Sequence, residues 1–283
     1  MNDQAARLRS RLKQQTVKAE AKTIAVASGK GGAGKSTFTI NFALQLIKQG
    51  KNVLIIDLDI GMGNIDILLG VTPKYSFTDL FESHMTIFDI IERGPLSVSY
   101  IAGGSGLASI FSMGDEKFSY FQSEYQQLAK AFDYILFDMG AGVTPDSLKH
   151  MIAAEEVILV TTPEPTSLTD AYSLLKHLVR EDPDVEVQVL TNRAMNEQSA
   201  IHTYERLANA ANKFLGKKIN HMGAIPDDRH VFDSVLKQVP FTLETPKCKA
   251  SKSMDVLVNQ YLKIPSRKNE SFLEKLRRLV QER

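Results

Sequence analysis

Short, unbroken apolar runs recur along the chain at Thr23–Ser28, Val53–Ile56, Val98–Ala102, Tyr134–Phe137, Val157–Val160, Val185–Leu190 and Met222–Ile225. Runs this short and this rich in Ile and Val predict strands covered on both faces. Between them the apolar positions take helical spacing, as over Ser36–Gln49, Ser167–Val179 and Ala200–Phe214. Buried strands alternating with helices predict βαβ units, hence an α/β fold: a doubly wound, mainly parallel sheet with helices on both faces. The pattern divides the chain into an arm over 1–22, one domain over 23–262 and a tail over 263–283, with Pro265-Ser266 as a linker. No internal repeat or low-complexity tract stands out.

Composition narrows the class. With 283 residues, 43% of them hydrophobic, the chain can bury a sizeable core and is not disordered throughout. One cysteine excludes a disulfide framework and suits a cytosolic address. No apolar run approaches the ~20 residues of a membrane span, and the first residues lack the apolar core of a signal peptide. The net charge of +1 hides an asymmetry. Residues 1–22 hold six basic and two acidic side chains, residues 263–283 seven and three, and the body between them 21 and 28. An acidic body argues against a DNA-coating surface. The six His show no metal-ligand spacing, and Cys248 reads as an inert filler.

The strongest chemical signal is Gly29-Lys30-Gly31-Gly32-Ala33-Gly34-Lys35-Ser36, which follows a predicted strand and opens a predicted helix. Glycines let the backbone wrap and aim N–H groups at phosphate oxygens, and the helix N-terminus adds positive potential. Lys35 can reach the β/γ-phosphates, Ser36 can ligate Mg²⁺, and Thr37 adds a hydroxyl for the α-phosphate. Two further strands end in carboxylates. Asp57 and Asp59 close the run Val53–Ile56, and Asp138 closes Tyr134–Phe137. Ligands gather outside the carboxyl ends of such strands, so these acids point to the phosphate site.

The run KGGAGKST resembles the deviant Walker A of the MinD/ParA family of ATPases. The resemblance implies a MinD-like P-loop NTPase binding ATP/ADP and Mg²⁺. It also implies that Lys30 reaches across an ATP-dependent homodimer to the partner's nucleotide. DLDIGMGNID resembles the switch I segment of MinD. By that match Asp59 orients the hydrolytic water, Asp57 supports the Mg²⁺ shell or the loop, and Asn64 and Asp66 meet the dimer partner or nucleotide. FDMGAG resembles a Walker B strand running into switch II, with Asp138 holding Mg²⁺ through water; Gly140 stands where MinD usually has Pro. Asn192, Pro226 and Asp227 resemble the family's base-recognition corners, with helix capping by Asp227 as the competing view.

The two basic ends carry their own signals. Phe272, Leu273, Leu276, Leu279 and Val280 share one face of a helix, with Lys275, Arg277 and Arg278 elsewhere. Such a helix suits an anionic membrane surface and resembles the membrane-targeting helix of MinD, which implies a cytoplasmic protein reversibly attached at the inner face of the cell membrane. Docking onto the protein's own core or onto a partner is the alternative. The segment Asp3-Gln4-Ala5-Ala6-Arg7-Leu8-Arg9 resembles the N-terminal signature of the FlhG (YlxH/FleN) branch, as do GMGNIDILLG, SYIAGG, VTTPEPTSLTDAY and NRA. That branch implies control of flagellar number and placement, with flagellar C-ring proteins and the GTPase FlhF as partners. Asp3, Gln4, Ala5, Leu8 and Arg9 then form the contact with FlhF, and Gln4 orients water in its site. A DNA-partitioning ATPase of the ParA kind is the rival reading.

Overall fold

The computed structural model describes residues 20–59, 63–82, 85–103, 114–264 and 270–281. The arm residues Asp3, Gln4, Ala5, Leu8 and Arg9, and the linker dipeptide at 265–266, lie outside the described residues.

Among the described residues eight strands form one sheet: β1 (Lys22–Ala27), β2 (Val53–Leu58), β3 (Glu92–Arg93), β4 (Ser99–Ile101), β5 (Tyr134–Met139), β6 (Glu156–Thr161), β7 (Val187–Ala194) and β8 (Asn220–Pro226). Their order is β3-β4-β2-β5-β1-β6-β7-β8. Every pairing is parallel except that of the two-residue edge strand β3 with β4, which is antiparallel. All the expected apolar runs form strands; β3 has no apolar run behind it. Every residue of β2 and of β6 is buried, as strands covered on both faces require.

Among the described residues the helices are α1 (Lys35–Lys48), α2 (Ile65–Leu69), α3 (Asp79–Glu82), α4 (Asp115–Ala131), α5 (Pro145–Ala153), α6 (Pro165–Glu181), α7 (Glu197–Leu215), α8 (Arg229–Leu236), α9 (Phe241–Glu244), α10 (Lys249–Tyr261) and α11 (Phe272–Gln281). Local chemistry sets several boundaries. Thr144 with Ser147, and Asn196 with Ser199, make reciprocal caps at the starts of α5 and α7. Pro165 occupies the first turn of α6, where its missing N–H costs nothing.

Two apolar layers sandwich the sheet. Helices α4 to α7 and α11 cover one face, and α1, α2, α9 and α10 cover the other. The tail helix turns its apolar stripe inward, not to the surface that a membrane would need. Phe272, Leu276 and Val280 are buried, and the Phe272 ring stacks on Phe137 and lies against Tyr125 of α4, at 4.9 Å from each. Lys275 Nζ donates to the carbonyls of Ile152 and Ala154 at 3.4 and 3.3 Å, at the carbonyl end of α5, where a cation is favoured. Arg277 and Arg278 stay exposed. At the other end of the domain, the Ala21 amide donates to the carbonyl of Ala129, also on α4, at 2.8 Å.

Candidate active site

The P-loop bridges β1 and α1. At Gly29 an added Cβ would stand 2.2 Å from the backbone carbonyl carbon of Asp170, so α6 packs where only glycine fits. Gly34 caps α1 in the left-handed region, at φ 88°, with Asn192 Nδ2 2.2 Å from where its Cβ would be. Asn192 donates that amide to the Ala33 carbonyl at 2.8 Å, bracing the loop. No acidic side chain occupies the first turn of α1, so its positive end is left for an anion. Ser36 and Thr37 are half-buried at that end.

Lys35 is buried under the loop, 3.2 Å from Asp138 Oδ1 and 3.2 Å from Ser36 Oγ. Thr39 Oγ1 donates to the same Asp138 oxygen at 2.9 Å. Asp138 Oδ2 is buried with no hydrogen-bond partner among the described residues. An orphaned carboxylate oxygen, and a serine hydroxyl that shares Lys35 Nζ with the same aspartate, fit Mg²⁺, which takes oxygen ligands and is completed by phosphates and water. Asp138 and Ser36 are the residues that would hold it.

Asp57 pairs in register with Asp138 on the neighbouring strand. Burial, and next the charge of Asp138, push its carboxyl from the usual 3.8 up to about 7. Its two oxygens serve the loop: Oδ1 accepts from the Asp59 amide at 2.9 Å, and Oδ2 from the amides of Asn64 and Ile65 at 3.2 and 3.4 Å. Of the two expected roles, loop support is the one this geometry carries. Asp59 is half-buried, and burial raises its pKa while Lys35 opposes the rise. A Cβ at Gly140 would lie 3.4 Å from Asp59 Oδ1, so glycine there leaves room beside this carboxylate. Asn64 is exposed at the start of α2, next to Asp66.

Lys30 and Lys35 have different partners. Its Nζ lies 2.5 Å from Glu164 Oε2 and 3.2 Å from Thr166 Oγ1, at the start of α6. The Lys30 hydrogen bond and charge hold the Glu164 carboxyl below its usual range. The sequence alone assigns no role to Glu164 or Thr166; both stand in VTTPEPTSLTDAY, just beyond β6, where Glu164 precedes α6 and Thr166 lies in its first turn. The base corner brings β7 and β8 together, with the Asp227 amide donating to the Ala194 carbonyl at 2.9 Å beside Pro226. Asp228, not Asp227, caps the following helix: its Oδ1 accepts from the His230 amide at 3.1 Å, and its Oδ2 from the Ala250 amide at 3.1 Å. Capping by Asp227 is therefore corrected by one residue.

Residues 19–262 match the family model described as ParA, NUBPL iron-transfer P-loop NTPase. The antiactivator FleN of Pseudomonas aeruginosa is 34% identical over 228 residues, covering 81% of each chain. The flagellum site-determining protein YlxH of Helicobacter pylori is 30% identical, covering 98% of each. Among solved structures, the cell division ATPase MinD of Pyrococcus furiosus superposes with a TM-score of 0.69 at 24% identity, over 87% of this chain and 100% of that one. The P-loop with its buried Lys35–Asp138 pair thus sits in a chain whose sequence and fold agree: it belongs to the ParA family of P-loop NTPases, in the FlhG (YlxH/FleN) branch of the MinD/ParA ATPases, and it is an ATP hydrolase.

Proposed function

We propose that this ATPase is a nucleotide-driven switch that sets flagellar number or placement. The names of the two flagellar relatives support the setting. The observation that carries the switch is Lys30, held on Glu164 and Thr166 at the start of α6. A second ammonium group in that position is available to the phosphates of a second copy, so ATP favours a homodimer with both sites at its interface.

Within each site, the P-loop amides and Lys35 bind the phosphates and Asp59 orients the attacking water. Burial makes Asp59 a better proton acceptor than a solvated aspartate. Mg²⁺, when bound, neutralises phosphate charge. Lys30 of the partner copy meets charge that builds on the terminal phosphate during transfer. Slow hydrolysis then releases the monomer.

Membrane attachment requires α11 to leave its seat, because its stripe is spent on the core while docked. Two released helices on one dimer bind an anionic lipid surface far better than one. The arm, through Gln4, stimulates FlhF, and flagellar C-ring proteins are the further partners.

Light scattering with a non-hydrolysable ATP analogue tests the core of this reading. The parent should dimerise, Lys30→Ala should stay monomeric, and Asp59→Ala should dimerise without hydrolysing ATP. A Lys30→Ala protein that dimerises like the parent removes the switch. Co-sedimentation with anionic vesicles, with and without residues 266–283, tests the tail, and the peptide 1–22 added to FlhF tests the arm.

A further inference from the structure

A cleft of about 520 Å³ opens at the end of the sheet remote from the P-loop. It lies beside Val53 and Ser99, the first residues of β2 and β4, whereas β2 delivers Asp57 to the phosphate site at its other end. The two sites are thus a strand length apart, on the order of 15–20 Å. Phe88, Ile91, Leu96 and Phe132 make its apolar wall, and Lys51 and Arg93 are its cations. Among the described residues that line it there is no carboxylate.

Three features make this more than a surface dent. Arg93 is fixed in place, since its Nη1 donates to the Ser97 carbonyl at 3.1 Å and to Ser99 Oγ at 2.6 Å. Its other guanidinium donors, and Lys51, have no partner among the described residues. Leu96 and Ser97 are consecutive and both left-handed, at φ 52° and 58°, a conformation costing about 1–2 kcal/mol per non-glycine residue. Such strain collects at ligand clamps. Finally, Leu96 is 50% exposed and Phe88 44% exposed, so two large apolar groups face solvent at the mouth.

We propose that this cleft is a second ligand site and takes a small amphipathic anion. An apolar chain or ring lies against Phe88, Leu96 and Phe132, and a single carboxylate is held by Arg93 and Lys51. The volume falls within the range of small-molecule sites, and Lys51 and Arg93 favour an anionic head, while the nearby Asp133 carboxylate is engaged by the Asn52 amide at 2.8 Å. The inference stands apart from the switch reading, since neither residue set touches the other.

Decanoate is the probe, titrated into the full chain by calorimetry and followed by the methyl resonances of Ile91 and Leu96. Saturable binding that moves those methyls is expected. Decanamide, its uncharged counterpart, should bind about tenfold more weakly or worse, the worth of a charged hydrogen bond. Lys51→Glu should abolish binding, and Lys51→Arg should restore it. Equal affinity for decanoate and decanamide, or unchanged binding by Lys51→Glu, overturns the proposal. So does a response confined to Leu148 and Ile152 beneath α11, which would place the acyl chain in the tail's seat, and so does failure to saturate.

Discussion

Lys30 Nζ and Glu164 Oε2 lie 2.5 Å apart across 134 residues of sequence, tying the rim of the P-loop to the start of α6. Both side chains are partly solvated, so the tie is weak and reversible. Glu164→Ala should therefore change ATP-dependent dimerisation by no more than about fivefold, whereas Lys30→Ala should eliminate it. Light scattering across a concentration series separates the two; equal losses would mean that Glu164 itself belongs to the interface.

Gly29→Ala forces a methyl group into the backbone of Asp170. Overpacking of this kind costs about 1–3 kcal/mol. It should lower the urea midpoint and weaken ATP binding together, because the loop must shift to relieve the clash. Fluorescent-nucleotide titration alongside chemical unfolding checks both, and wild-type values for either would show that α6 yields instead.

The pH dependence of stability should carry the mark of Asp57. Its folded pKa, about 7, lies above the unfolded 3.8, so the native state binds the extra proton between those values. Its contribution is full below about pH 4 and is lost as pH rises through about 7, by roughly 4 kcal/mol. In chelator, urea unfolding from pH 5 to pH 8 should show this decline, and Asp57→Asn should flatten it. An equally steep decline in the variant would assign the effect elsewhere.

Phe272→Ala removes the ring seated between Phe137 and Tyr125. The loss should approach 3 kcal/mol, the lower range for a buried Phe. Because α11 is short and depends on docking, the deficit should appear as lost amide-exchange protection over 272–281 while the sheet stays protected. Global loss of protection would instead make α11 part of the folding core.

The sheet and the P-loop were legible because each is written locally. Apolar runs identify strands buried on both faces, and Gly29–Ser36 is contiguous. Asp59 and Asp138 could be placed because strand ends share one edge. The remaining features depend on residues far apart in sequence. Glu164 becomes a partner only when β6 delivers it beside the loop. By resemblance Asp57 supports the Mg²⁺ shell or the loop, and the amides of Asp59, Asn64 and Ile65 that it holds become visible only once the chain folds back on it. The amphipathic stripe of α11 announces that it needs an apolar cover but not which one, since a core and a bilayer demand the same periodicity. The one-residue shift from Asp227 to Asp228 reflects a strand that runs through Pro226 before the chain turns.

Helix α4 receives Ala21 through Ala129 and Phe272 through Tyr125, so the segments leading into and out of the ATPase body are moored to one post. Peeling the tail away strips one side of that post while the arm's root still hangs from the other. A tail that leaves its seat thereby bares Tyr125 on the same helix that holds Ala21, so the two ends of the ATPase body draw on a single support.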